Sequence, residues 1–284
     1  ALAVWDGPTR EIRPAPAWAV FPWETDFVEH FTVAYYYEKF AQAGDRALLA
    51  LGQDPAATHT VDWHTRYQRE LRAGDCYHVL SAPISAEDGD LVIGHKLYDS
   101  ADGELCATTE QTVIGASAAP EALAVWDGPT REIRPAPAWG PEWVRTATDT
   151  VIPRDLDRSG RLGVDAMIHR FSSGIVQTLA RAGMTPAYLR DNRIGYSTFE
   201  FQLRVVEPAT LGEPVDCHSC FAQVGRSSMR MVHRLIRPTD DALIAEMSQF
   251  GVHLDMEARR PSAIPEALAE RARTILVEPA EHAR

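Results

Sequence analysis

The sequence predicts two tandem domains of one α+β fold, each a long helix laid against a roughly five-stranded antiparallel sheet. Three observations carry this reading. First, Val20-Phe21-Pro22-Trp23-Glu24-Thr25-Asp26 returns as Val151-Ile152-Pro153-Arg154-Asp155-Leu156-Asp157, and at the same offset Phe40 meets Phe171, Leu48 meets Leu179, Gly52 meets Gly183 and Pro55 meets Pro186. Second, a short insertion in the later copy shifts the register, which then resumes: Gly74 meets Gly212, His95 meets His233, Leu97 meets Leu235, Ala107 meets Ala245 and Gln111 meets Gln249. Third, both copies share one periodicity, a helical stripe followed by strand-like runs split by turn residues. Two long copies mean two domains; a solenoid needs three or more short units.

Each copy opens with a short strand expected to end near Trp23 or Pro153. A polar loop holding Asp26 or Asp157 follows. A helix comes next, over 33–52 and 164–183. Tyr36, Phe40, Ala43, Ala47 and Leu51 recur at helical spacing in the first, and Met167, Phe171, Gly174, Thr178 and Ala182 take the same places in the second. Both stripes mark a core-facing side. Gly52 and Gly183 read as C-terminal caps, with Pro55 and Pro186 beyond them to stop the helix. Strands are expected over 58–71, 76–84, 91–98 and 105–114, and again over 195–206, 213–224, 227–237 and 243–254. Turn signals such as Ala73-Gly74-Asp75 and Ser100-Ala101-Asp102-Gly103 separate them and favour an antiparallel meander. The helix is the only large element available to cover the sheet's buried face.

These elements divide the chain into a first domain over 19–121, a linker over 122–142 stiffened by Pro129, Pro135 and Pro137, a second domain over 143–258 and a tail over 259–284. Within the tail, residues 265–276 read as a short amphipathic packing helix. Residues 1–18 are identical, letter for letter, to residues 122–139, out of register with the domain repeat. We read them as a recent or engineered duplicate of the linker; the alternative is a genuine N-terminal arm that mimics it.

At 284 residues, 45% of them apolar, each domain can bury its own core. The net charge of −12 argues against nucleic acid as a partner, since phosphate binding rests on a basic surface. It also disfavours docking onto an acidic carrier protein. No apolar run approaches the length of a membrane span and no signal peptide is visible, so a cytoplasmic setting is expected. Four cysteines are too few for a disulfide scaffold. Cys217-His218-Ser219-Cys220 invites a metal reading, but in a strand residues three apart face opposite sides, and no second Cys/His pair at zinc spacing accompanies it. Ordinary strand cysteines, with neither metal nor cofactor, are the expectation.

The order of strand, Asp loop, central helix and antiparallel strands resembles the hotdog fold, and the loop sharpens the resemblance. In 4-hydroxybenzoyl-CoA-type and related acyl-CoA thioesterases the loop Asp is followed by a stretch like x-Met-Gly-His-Val-Asn-Asn-Ala-x-Tyr. Asp26, His30, Ala34 and Tyr36 stand at matching positions. Glu29 replaces the usual Gly, and Thr32 and Val33 the usual Asn residues. The later copy keeps Asp157 and Gly160 but has Arg161 in the His place. The resemblance covers about 20–116 and 144–256. It implies a single-chain double-hotdog thioesterase acting on acyl-CoA, with a homodimer of double hotdogs as one assembly.

Thioester hydrolysis needs an activated water or nucleophile, and donors for the developing oxyanion. Asp26 and Asp157 precede the helix, each suited to act as a general base or as a nucleophile forming an acyl anhydride. The helix N-terminal amides suit the oxyanion. His30 is a candidate to polarise the carbonyl or orient Asp26. Glu29, Thr32 and Gly160 are candidate substrate contacts, Gly160 because glycine lets backbone amides approach closely. Arg226, Arg230 and Arg234 share one strand face and suit the phosphates of coenzyme A, against the plainer reading of a solvated face. Tyr35, Tyr36, Tyr37, Trp23 and Trp63 suit an acyl pocket or simply the core. His233, flanked by Met229, Met231 and Leu235, reads as a satisfied core histidine, and Gln111 and Gln249 as plain sheet-face residues. Two other functions stay open: a non-catalytic acyl-CoA-binding module, and a hotdog hydratase or dehydratase, whose Asp and His usually lie five apart where Asp26 and His30 lie four apart.

Overall fold

The computed structural model describes residues 18–26, 29–87, 89–132 and 134–277. The chain forms two compact units, Ala1–Arg131 and Glu132–Arg284.

The first unit contains β1 (Trp18–Ala19), α1 (Val33–Ala50), β2 (His59–Tyr67), β3 (Cys76–Glu87), β4 (Asp90–Asp99) and β5 (Leu105–Ile114). Its strands pair antiparallel in the order β1-β3-β4-β5-β2. The opening strand is shorter than expected, because Pro22–Glu24 forms a 3-10 turn whose Glu24 carboxylate accepts the Phe21 N–H at 2.9 Å. The α1 stripe is buried at Tyr36, Phe40, Ala43 and Ala47, facing Leu91, Ile93 and Leu97 on the inner side of β4. Gly52 ends the helix at φ +74, where any side chain would be strained, and the Gln53 N–H returns to Leu48 O. Pro55 does more than stop the helix: it opens a 3-10 turn, Pro55–Ala57, capped by the Asp54 carboxylate.

The second unit contains β6 (Val144–Thr150), α2 (Val164–Arg181), α3 (Pro186–Asp191), β7 (Ile194–Val205), β8 (Pro214–Val224), β9 (Ser228–Arg237), β10 (Ala242–Asp255), β11 (Arg260–Pro261) and α4 (Glu266–Arg273). The order is β7-β10-β9-β8-β6, antiparallel throughout, with β11 paired to β10. Pro186, expected to mark a stop, is instead the first residue of α3, whose Thr185 cap accepts the Tyr188 N–H. The insertion in this copy is spent on that extra helix. In the tail, α4 buries Leu268, Ala269 and Ala272, as its amphipathic spacing implies.

Each core holds the same four polar residues at equivalent places. His95 lies fully buried on β4, with Ser81 Oγ donating to its Nδ1 at 2.7 Å and its Nε2–H donating to Gln111 Oε1 at 3.0 Å. Gln111 Nε2 donates in turn to Thr60 Oγ1 at 2.6 Å. The second unit keeps the equivalent residues with two of the three bonds, Ser219 Oγ to His233 Nδ1 at 2.7 Å and Gln249 Nε2 to Thr198 Oγ1 at 2.6 Å, while His233 Nε2 and Gln249 Oε1 stay outside hydrogen-bond geometry. Burial holds both imidazoles neutral, His95 down to about 4 and His233 down to about 3. Gln111 and Gln249 are therefore members of a buried network rather than plain sheet-face residues.

Two further expectations change. The β9 face bearing Arg230 and Arg234 is not solvated. Arg230 is 5% exposed, and Arg234 pairs with Glu246 at 2.6 Å and lies over the Trp143 ring at 4.6 Å. Residues that follow the expected linker boundary pack over this side, with Trp143 against Cys220, Ala222 and Val232. Arg226 lies outside the strand and is exposed, so the three guanidiniums do not form one cluster. Cys217 and Cys220 diverge as strand alternation requires: Cys217 Sγ is against Gly174 of α2, and Cys220 packs with Trp143. Among the described residues no helix is long and apolar enough to cross a membrane.

Candidate active site

The loop before each central helix has one construction. Thr25 bridges Phe31 and His30 bridges Arg72 in the first unit; Leu156 bridges Leu162 and Arg161 bridges Thr210 in the second. Asp26 N–H donates to His30 O and Asp157 N–H to Arg161 O. Each carboxylate accepts a backbone N–H four residues on, from His30 to Asp26 Oδ1 at 3.0 Å and from Arg161 to Asp157 Oδ1 at 3.2 Å. Both aspartates thus organise their own turn, and both lie exposed.

The turn needs a left-handed residue at its fourth position. Gly160 supplies it at φ +76, and Glu29 adopts it at φ +64. Glycine does so without strain; glutamate does not. A Cβ added at Gly160 meets nothing within 4 Å, and the Gly160 N–H is spent on Asp157 O at 3.1 Å. Glycine gives this turn its left-handed step.

The acid two residues before each loop Asp is also repeated. Glu24 is buried with Lys39 Nζ at 3.9 Å, and Asp155 pairs with Arg170 at 2.7 Å. Lys39 and Arg170 occupy equivalent helix positions. Burial pushes the Asp155 carboxyl up, but Arg170 and the Ile152 N–H outweigh it and leave it below the usual carboxylate range. These pairs clamp the loop to the helix in both units.

The surroundings then diverge. In the first unit His30 Nε2 lies 3.1 Å from the Glu70 carboxylate, with the imidazole mostly covered and Glu70 near the surface. His30 and Glu70 meet because the loop forms a bridge to Arg72 at the turn after β2, and Asp26 is tied to His30 through the backbone. Sequence reasoning missed Glu70: no periodicity or spacing marks it, and only the bridge brings it to His30. In the second unit Arg161 and Pro208 hold the equivalent positions, so no such pair of titratable groups forms.

The helix ends differ too. Thr32 caps α1 without a side-chain hydrogen bond, and its first turn holds no acid. Its own N–H is bonded to Glu24 O at 2.8 Å. Gly163 caps α2, and Asp165 stands in that first turn, where a Cβ on Gly163 would lie 2.9 Å from Asp165 Oδ1. The α2 terminus carries its own carboxylate, whereas the first turn of α1 has none. Tyr36, Tyr37 and Trp63 are buried core, while Trp23 is 70% exposed.

A family model described as the thioesterase-like superfamily matches residues 20–139 and again 151–272. A comparison with curated protein sequences gives no match. Among solved structures, the chain is similar to a protein assigned as an oleoyl thioesterase from Lactobacillus plantarum, at 13% identity and TM-score 0.63, over 84% of this chain and 95% of that one. It is similar also to an acyl-ACP thioesterase from Bacteroides thetaiotaomicron, at 11% identity and TM-score 0.62, over 83% and 96%. A 12:0-ACP thioesterase from Umbellularia californica matches at 11% identity and TM-score 0.62, over 86% and 94%. At these identities the structures share the fold, two tandem hotdog units.

Proposed function

This chain belongs to the thioesterase-like superfamily and is a thioester hydrolase, and from that premise we propose that it cleaves acyl-CoA at the Asp26 loop of its first unit. The observation that supports the assignment is the divergence of two loops built alike. One pairs His30 with Glu70 in the turn that Asp26 organises, before a helix with no acid in its first turn. The other has Arg161 and Pro208 in those places and Asp165 in that first turn.

In this reading Asp26 acts as general base on a water that attacks the thioester carbonyl carbon. The α1 terminal amides receive the developing oxyanion, where the dipole favours negative charge. His30 carries a proton toward the departing sulfur, and Glu70 holds the imidazole in place. Thr32 and Glu29 flank the approach as substrate contacts. Gly160 and Asp157 serve a second loop that binds or scaffolds in its own unit, where Arg226 is an exposed guanidinium suited to a phosphate. A homodimer of double hotdogs and a cytoplasmic setting complete the proposal, the first open to sedimentation.

The test is thiol release from a panel of acyl-CoAs. Asp26→Asn is expected to lower kcat by roughly 10²–10⁴, the usual worth of a general base, with Asp157→Asn within a few-fold of the parent. Full activity in Asp26→Asn together with loss in Asp157→Asn would put the site in the other unit. A second reading, with an acyl carrier protein in place of CoA, draws support from full-length similarity to two proteins named as acyl-ACP thioesterases. The net charge of −12 weighs against it. Parallel assays with one acyl chain on each carrier decide between them.

A further inference from the structure

The identical segments 1–18 and 122–139 acquire a physical meaning from what the later one does. In the first unit, residues 124–131 lie across the outer face of β3, β4, β5 and β2 as a strap. Ala124 N–H donates to Pro83 O at 2.8 Å. The Trp126 ring fills the space where a Gly94 side chain would stand, an added Cβ lying 2.6 Å from it, and Trp126 Nε1 donates to Glu110 at 2.9 Å. Lys96 pairs with Asp127 and lies over the Trp126 ring. Arg131 forks onto Asp62, with Nη2 to Oδ2 at 2.9 Å. A cavity of about 270 Å³ stays open beneath, lined by Leu80, Ile84 and the strap.

Every anchoring side chain of that strap recurs near the N-terminus, as Ala3, Trp5, Asp6 and Arg10. Residues 1–17 lie outside the described structure, but their attachment point does not: Trp18 pairs with Tyr77 at the edge of the same sheet. Gly94 pairs with Ala82, five residues along β3 from Tyr77, a distance of about 17 Å along the strand. The thirteen residues from Trp5 to Trp18 can span about 45 Å, so Trp5 and Asp6 reach Gly94 and Lys96 with slack. The eight residues from Arg10 to Trp18 would have to run almost fully stretched to bring Arg10 to Asp62 across the sheet. The fork onto Asp62 is therefore the linker's advantage in an otherwise equal contest.

We propose that residues 1–10 are a second occupant of the strap groove in the same chain, exchanging with residues 122–131, so that the groove is a docking site for either copy. Identical letters give identical contacts at the Trp and Asp positions, and the balance is set by tethering and by the Arg131 fork.

The experiment uses the full chain with Cys76 replaced by Ser, a short bis-maleimide as the probe, and peptide mapping of the products. Lys96→Cys with Asp127→Cys reports the linker in the groove; Lys96→Cys with Asp6→Cys reports the N-terminal copy. The 6–96 product is expected as the minor species with Trp126 intact, and to rise about tenfold with Trp126→Ala, as loss of a half-buried Trp implies. Free peptide of residues 1–10 should lower the 96–127 yield in the otherwise intact chain, a readout that survives if Trp126→Ala fails to fold. No 6–96 product in either background, with 96–127 formed and indifferent to peptide, overturns the proposal. A 6–96 product found only between two chains overturns it in favour of a second copy as the occupant.

Discussion

Acid should weaken each unit through its buried histidine, and the size of the effect follows from the structure. His95 accepts from Ser81 and donates to Gln111 in a site without solvent, so the neutral ring is the form that fits. Burial lowers it from the ordinary 6.5 to about 4. A group depressed on folding binds fewer protons in the folded state, so its contribution is intact above pH 6.5 and is lost as pH falls toward 4. At 1.36 kcal/mol per unit of pKa difference, the loss between pH 7.5 and 4.5 is roughly 2.5 kcal/mol for His95. His233, down to about 3, gives a similar figure for the second unit. Urea unfolding at the two pH values measures this directly. His95→Gln is expected to be less stable than the parent at pH 7.5, but to lose about 2.5 kcal/mol less on acidification. Carboxylates contribute equally to both proteins and cancel in that difference. If the variant loses as much stability as the parent, His95 is not held neutral and the reasoning fails.

Other outcomes follow from the same structure. Glu70→Gln should lower kcat while leaving the thermal midpoint unchanged, since Glu70 is exposed and touches His30 alone among the groups of the loop; a shift in Tm without a change in turnover would make the pair merely structural. Glu29→Gly should raise stability by roughly 0.5–1 kcal/mol by relieving a left-handed glutamate, readable by calorimetry, and no gain would mean the strain is absent. Gly44→Ala should cost roughly 1–3 kcal/mol, because its Cβ would lie 2.2 Å from Gln111 Oε1, which His95 and Thr60 hold in place. Asp155→Ala should cost roughly 1–3 kcal/mol by removing one of the two carboxylates on the buried Arg170, Asp149 at 3.1 Å remaining, and urea midpoints check both.

Local signals were sufficient for the scaffold. The apolar stripes of α1 and α2 lie buried where their spacing put them, and Gly52 and Gly183 end their helices at positive φ. The strands stand within a few residues of the turn signals that bounded them. Misjudged were features decided by competition between local preferences. The strands expected to end near Trp23 and Pro153 stop earlier, at Ala19 and Thr150, because Pro22 and Pro153 open 3-10 turns, and Pro186 begins a helix because Thr185 can cap it.

By itself, then, the sequence determined the duplication, the α+β class and the two loop aspartates, because repeats, periodicity and turn chemistry act along the chain. What surrounds each aspartate was decided across the chain. Glu70 reaches His30 through a bridge to a distant turn, Gln111 reaches His95 across two strands, and Arg230 is covered by residues far away in sequence. Such contacts leave no mark in local spacing, since a side chain's partner depends on which strands pair and in what register. The difference between two equal motifs is a tertiary fact: one Asp loop folds against a histidine and a glutamate, the other against an arginine and a proline.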